Sequence, residues 1–226
     1  MGRTSWLEQI FLRQVLSKYD SVVLSCSFGA PEGMILIDTI SQISKNFTVC
    51  TIDTGRLPSA TYRLIDIARN RYNFKLDTIY PKYDLLKEMV AKKGMNSFYE
   101  SVENRKECCN IRKVIPFNDY LRENKIKAVI TGLRKEQSPE RNDIKLVELN
   151  KYIECAKINP IYDWLREDVM EYVKLHDVPI NSLHQLGYES VGCDPCSRPG
   201  TGRNGRWWWE NNESKECGLH EYGSGI

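Results

Sequence analysis

The chain predicts an α/β fold built on a doubly wound, mostly parallel sheet. Three observations carry this. Short β-rich apolar runs alternate with helical stretches along most of the sequence, small residues follow the predicted strands, and 226 residues with 41% hydrophobic content suit one large globular domain. The opening MGRTSWLEQIFLRQVLSKYD is charged throughout and reads as an amphipathic helix rather than a secretion signal. SVVLSCS at 21–27 is the first predicted strand, and a helical pattern runs from Pro31 to Ser44. FTVCTID at 47–53 and a helix from Pro58 to Tyr72 repeat the unit. KLDTIYP at 75–81 follows as a strand, then helical stretches from Tyr83 to Lys93 and from Glu107 to Arg122, then the strand KAVITGL at 127–133. KLVELN at 145–150 and CAKINP at 155–160 read as a shorter hairpin region, and Trp164 to His176 as a helix. Beyond Val191 periodicity stops, so 1–191 is the predicted α/β core and 192–222 an irregular, mobile C-terminal segment of the same domain. The last four residues, Gly223-Ser224-Gly225-Ile226, have a linker-like composition and are set aside as an appended scar.

Composition excludes several function classes. With 32 basic and 30 acidic residues the net charge is +2, which gives no global reason to expect nucleic acid or an anionic membrane as partner, and any anion site must be local. No apolar stretch is long enough to cross a bilayer. Without an export signal, eight cysteines are expected as ligands, nucleophiles or core residues in a reducing cytoplasm rather than as disulfides. Trp207-Trp208-Trp209, beside basic residues, could stack on single-stranded nucleic acid, but a local core under the tail is the preferred reading.

In a doubly wound sheet, ligands bind beyond the C-terminal ends of the strands. Three loops lie there. Ser27-Phe28-Gly29-Ala30 places small residues before a helix that begins near Pro31, exposing backbone N–H groups to a phosphate, although an ordinary strand-to-helix turn reads the same way. Asp53-Thr54-Gly55-Arg56 adds a glycine that permits close backbone approach, with a capped turn as the alternative. The run from Thr131 and Gly132 through Arg134 to Arg141 puts three basic groups after a strand, where guanidinium forks match phosphate or sulfate, or a solvated charged loop.

The cysteines divide into two sets. Cys26, Cys50 and Cys155 sit singly in apolar strand patterns and read as core residues. Cys108-Cys109 and Cys193-Asp194-Pro195-Cys196 suggest a structural zinc, a redox dithiol or an iron–sulfur cluster. Adjacent Cα atoms lie about 3.8 Å apart, so neighbouring thiolates serve separate irons of a cluster more comfortably than two corners of one zinc tetrahedron. If Cys108 and Cys109 open the helix running to Arg122, its dipole and Lys113 favour their thiolate forms. Four thiolates complete such a site and leave Cys217, flanked by Lys215 and His220, for covalent chemistry.

SFGAPEG, IDTGRLPSATY, ECCNIRKVIPF, TGLRKEQSPER, VGCDPCSRPG, GRWWWE and KECGLH occur in that order over nearly the whole chain. As a set they resemble the assimilatory adenylyl-sulfate reductases, in the group that includes the 3′-phosphoadenylyl-sulfate reductases. The resemblance implies an adenine-nucleotide α-hydrolase-like fold, with SFGAPEG where ATP-using relatives carry SGGxDS. It implies a 4Fe-4S cluster on Cys108, Cys109, Cys193 and Cys196, and Cys217 as nucleophile. It further implies a nucleotide held at Ser27, Phe28, Gly29, Thr54, Gly55, Arg56 and Gly132, and a phosphosulfate at Lys113, Arg141, Arg203 and Arg206. Gly200-Thr201-Gly202, between Pro199 and Arg203, is shorter than the family's usual connection.

The implied reaction reduces adenosine 5′-phosphosulfate to sulfite and AMP through an S-sulfocysteine on Cys217, which thioredoxin or a glutaredoxin resolves. The 3′-phosphorylated substrate is the serious alternative, and cluster-bearing members typically take the unphosphorylated one. Gly202, Gly205 and Gly218 are expected to let the tail close and reopen, and His220 to pack against it. Homo-oligomerisation is left open. Two other classes compete: a sulfur-transferring tRNA-modifying enzyme, for which the chain lacks an ATP pyrophosphate loop, and a non-catalytic zinc-stapled binding module.

Overall fold

A computed structural model describes residues 6–150 and 154–210. The elements, in chain order, are α1 (Trp6–Lys18), β1 (Val22–Ser25), α2 (Pro31–Ser41), β2 (Thr48–Ile52), α3 (Ser59–Arg71), β3 (Lys75–Ile79), α4 (Tyr83–Lys93), α5 (Val102–Cys109), α6 (Ile115–Glu123), β4 (Ala128–Thr131), β5 (Val147–Asn150), β6 (Cys155–Ile158) and α7 (Arg166–Leu175). The sheet order is β3-β2-β1-β4-β6-β5, with every neighbouring pair parallel except the β5/β6 hairpin. The predicted α/β class, the strand-helix order and the hairpin region agree with this architecture.

Strand periodicity sorts the core into two layers. Leu24, Val49 and Ile130 point to one face, where they meet Leu12 and Val15 of α1, Ile35 and Leu36 of α2, Leu64 of α3 and Val169 of α7. Val23, Cys50 and Val129 point to the other, against Met89 of α4 and Phe117 and Leu121 of α6. Both faces of β1 and β4 are therefore covered, which is why their sequences are continuous apolar runs rather than alternating ones. Cys26, Cys50 and Cys155 are buried as expected, and burial pushes the Cys26 thiol up to about 12 and Cys155 up to about 11.

The sheet winds outward from β1 in both directions, to β2 on one side and β4 on the other, so a crevice opens at their C-terminal ends. No helix among the described residues is long and apolar enough to cross a membrane.

One predicted element is divided differently. In place of a helix from Glu107 to Arg122, α5 begins at Val102, with the Ser101 Oγ accepting the Asn104 N–H at 3.1 Å as its N-cap. It then passes through a π-helical turn, Asn110–Val114, into α6. Pro116 has no N–H for the carbonyl four residues back, and its ring crowds that carbonyl, so the preceding turn widens. Cys108 and Cys109 thus lie inside a continuous helical run from Val102 to Glu123 rather than opening one. The expected help from an N-terminal dipole is absent, and burial raises the Cys108 thiol despite the nearby Arg112.

Candidate active site

A cavity of about 410 Å³, within the usual range for small-ligand sites, occupies the crevice beyond β1, β2 and β4. Ser25 to Ser27 bring β1 to its edge, Ile52 and Thr54 continue β2, and Thr131 and Gly132 continue β4. The β1 loop turns at Phe28, whose φ of 52° is in the left-handed region and whose ring is wholly buried. The Phe28 carbonyl accepts a hydrogen bond from Asn181 Nδ2 at 3.0 Å, which fixes the turn. A side chain at Gly29 would meet the Val191 carbonyl at 2.5 Å, so only glycine lets the 191–193 segment close over this loop.

Ser27, Gly29, Thr54, Lys113, Gly132, Arg141, Arg203 and Arg206 all line this cavity, although they come from five separated stretches of chain. Three other expected residues do not. Phe28 packs into the core, and the Gly55 N–H donates to Asp53 Oδ1 at 2.8 Å in a tight turn with φ +71°. Arg56 turns away, its guanidinium 4.9 Å from the Phe98 ring centre and hydrogen-bonded to the Met95 carbonyl.

Arg56 faces a second, smaller cavity lined by Cys108, Cys109, Cys193 and Cys196. All four thiols are buried, and none of the seven described cysteines is in a disulfide. Thr54 Oγ1 lies 3.2 Å from Cys193 Sγ, and Arg112 Nη1 donates to the Thr54 carbonyl at 2.6 Å, so the β2 loop is tied to the cysteine wall. Burial, and then the neighbouring Cys193, push the Cys196 thiol up to about 12. Holding the Cys108 and Cys196 sulfurs as thiolates therefore requires added positive charge. No set of three or more His, Cys, Asp or Glu among the described residues converges on one metal ion.

Lys113 and Cys193 line both cavities. Lys113 belongs to the π turn that directly follows the two cysteines.

Several residues of the site carried no clear sequence signal. Arg134, in the basic loop, lines the cavity with its guanidinium already engaged: its Nε donates to Glu32 at 2.8 Å and its Nη1 to Glu136 at 2.9 Å. The signal for Glu32 was an acidic residue in the first turn of a mostly apolar α2. Arg105 and Glu210 form a buried bidentate pair with both contacts at 3.0 Å, anchoring the 192–210 segment on α5. Trp207, itself buried at φ 41°, has Arg105 4.6 Å and Arg206 4.7 Å from its ring centre. The tryptophan run is thus a local core, with Trp209 packed on Phe98 and Tyr99. Gly205 is not the expected pivot, because a Cβ there would run into the Arg198 carbonyl, whereas Gly202, at φ +59°, has open space around it. Cys217, Gly218 and His220 lie outside the described residues.

Known proteins resemble this chain in sequence and in fold. Residues 21–199 match the phosphoadenosine phosphosulfate reductase domain. The chain is 43% identical over 213 residues to an adenosine 5′-phosphosulfate reductase of Burkholderia cepacia, covering 92% of this chain and 84% of that protein. Among solved structures it resembles a phosphoadenylyl-sulfate reductase of Candida auris in its phosphate complex, with TM-score 0.68 and 27% identity over 83% of this chain and 88% of that one. FMN adenylyltransferase of Candida glabrata shares the fold alone, with TM-score 0.62 and 14% identity over 86% of this chain and 63% of that one. The nucleotide-sized crevice on a doubly wound sheet, the cysteine wall beside it and a domain match that spans both place this chain in the phosphoadenosine phosphosulfate reductase family.

Proposed function

We propose that the protein reduces adenosine 5′-phosphosulfate to sulfite and AMP in assimilatory sulfate reduction. The observation that carries this reading is the sharing of Lys113 and Cys193 between a cation-lined, nucleotide-sized cavity and a four-cysteine cavity. Backbone N–H groups of the Ser27 to Ala30 loop and the start of α2 suit the nucleotide, and Lys113, Arg141, Arg203 and Arg206 suit the phosphosulfate. Relatives named for the unphosphorylated substrate favour it over the 3′-phosphorylated one.

The Cys217 thiolate attacks the sulfur of the sulfate group, the bond from that sulfur to the phosphate oxygen breaks, and AMP leaves with the electron pair. Anion attacking anion is opposed by charge, so the lysine and arginines act by neutralising the sulfate and phosphate oxygens as the new bond forms. A thiolate of thioredoxin or a glutaredoxin then attacks the Cys217 sulfur, releasing sulfite. The partner's second thiol resolves the mixed disulfide, leaving Cys217 reduced and the partner oxidised. The 192–222 segment thereby serves both cavities within one domain, and cysteines free of disulfides are consistent with a reducing compartment such as the cytoplasm.

The donor set suits a 4Fe-4S cluster held by Cys108, Cys109, Cys193 and Cys196: four buried cysteines line one space, with Arg56, Arg112 and Lys113 beside it to balance charge. Such a cluster would supply the positive charge that keeps four buried thiols ionised.

The test is sulfite release by anaerobically purified protein with thioredoxin and either substrate, wild type beside Cys217→Ser. Activity with the unphosphorylated substrate that disappears in the variant is expected. Silence with both substrates in a protein that retains iron and sulfide would overturn the reading.

A further inference from the structure

The basic loop after β4 brings two arginines to the large cavity, and each is held differently. Arg134 is paired with carboxylates: its Nε donates to Glu32 at 2.8 Å and its Nη1 to Glu136 at 2.9 Å. The Arg141 guanidinium donates to a neutral acceptor, Oε1 of Gln137. Both arginines are buried, so each guanidinium keeps the direction that its hydrogen bonds give it.

Gln137 lines the same cavity and joins the two sets. Its Nε2 donates to Glu32 Oε1 at 2.9 Å, and its Oε1 accepts from the Arg134 N–H at 3.1 Å as well as from Arg141. These neighbours leave the amide one orientation. A carboxylate paired with arginine only accepts and the two arginine groups only donate, so a flipped amide would lose these bonds. The chain supplies the spacing: Gln137 ends one 3-10 turn, Lys135–Gln137, and Arg141 ends the next, Pro139–Arg141. One amide therefore ties the loop after β4 to the first turn of α2 and passes its orientation on to Arg141. Its neutrality matters as much as its bonds. A carboxylate in its place would stand against Glu32 and form an ion pair with Arg141, cancelling charge that an anion would otherwise meet.

We infer that Gln137 is a positioning residue for phosphosulfate binding: its amide fixes the Arg141 guanidinium at the cavity wall and, being neutral, separates it from the Glu32 carboxylate without cancelling its charge. The inference rests on the substrate reading of this cavity.

Calorimetric binding of adenosine 5′-phosphosulfate and of adenosine, both to protein carrying Cys217→Ser so that the sulfate group stays intact, tests it. In that background Gln137→Met, which keeps the length of the side chain and removes its hydrogen bonds, should weaken the phosphosulfate about 10-fold. Gln137→Glu should weaken it about 100-fold, because the new carboxylate pairs with Arg141 and adds a like charge to the wall that receives the anion. Adenosine, which carries no anion, should stay within about threefold in both variants. Equal weakening of the two ligands would make Gln137 a merely structural residue, and unchanged phosphosulfate binding would show that Arg141 is placed without it; either result overturns the inference. If one variant does not fold, the other decides. Failure of the phosphosulfate to bind when Gln137 is intact would instead remove the substrate reading itself, and this inference with it.

Discussion

The two cavities are neighbours built in opposite ways. The large one is framed by strand ends and the loops that continue them, with backbone and small residues forming its floor and cations its rim. The cysteine cavity has little regular structure beneath it: one wall is the end of α5 and the π turn, the other an irregular loop some eighty residues later, joined by the Arg105–Glu210 pair and the Trp207 stack. A site on strand ends is positioned by the sheet. A site between a helix end and a loop is positioned by a few buried polar contacts and by whatever the cysteines bind.

Cysteine substitutions separate the two most sharply. Cys109→Ala, which lines only the cysteine cavity, should abolish bound iron and sulfide while leaving AMP binding within about threefold. Cys193→Ala, lining both, should lose the iron and weaken AMP as well. Iron analysis with calorimetry reads this, and equal loss of AMP binding in both variants would show that the cavities form one unit.

Lys113 faces both sides, and Lys113→Ala should lower kcat by about 10²- to 10³-fold with iron content unchanged. A variant that instead loses iron in proportion to activity would assign Lys113 to the cysteine side.

Glu210→Gln leaves Arg105 buried without its counter-ion and should destabilise the protein by about 3–5 kcal/mol, seen as a lower denaturation midpoint. Because the pair anchors the 192–210 segment, the loss should appear first as protease sensitivity there. Uniform loss across the molecule would mean that the two regions share one cooperative unit.

Gly192→Ala makes a smaller change. The new methyl would run into the Arg206 guanidinium, which is the far end of a flexible side chain. We expect a roughly 10-fold rise in KM from a displaced charge-assisted contact, and stability within about 1 kcal/mol.

The smallest effect near neutrality is alkaline. The folded-state thiols of Cys26 and Cys155 lie above the ordinary value of 9.0, at about 12 and about 11. The folded state therefore holds protons that the unfolded chain releases, so this stabilisation is intact below pH 9 and is lost as pH rises through 11 to 12. Urea midpoints should fall between pH 8 and 10.5, and Cys26→Ala should reduce the slope.

The sequence alone determined the strand-helix order, the parallel sheet and its hairpin edge, because apolar periodicity and strand length are local properties of the chain. It also paired Cys108-Cys109 with Cys193 and Cys196, which line one cavity, and named eight of the residues that line the other. Tertiary structure decided the rest. A π turn before Pro116, which lacks an N–H, interrupts the helix pattern just after Cys108 and Cys109 and carries Lys113, which lines both cavities, and periodicity does not register it. Arg134 was matched with Glu32 across a hundred residues, so its charge is already balanced where it lines the cavity. Arg56 was turned to the cysteine side and Gly205 was packed shut. Each of these depends on which charges and surfaces meet when distant segments close, and the free energy of a buried charge is set by its partners and not by its neighbours in sequence.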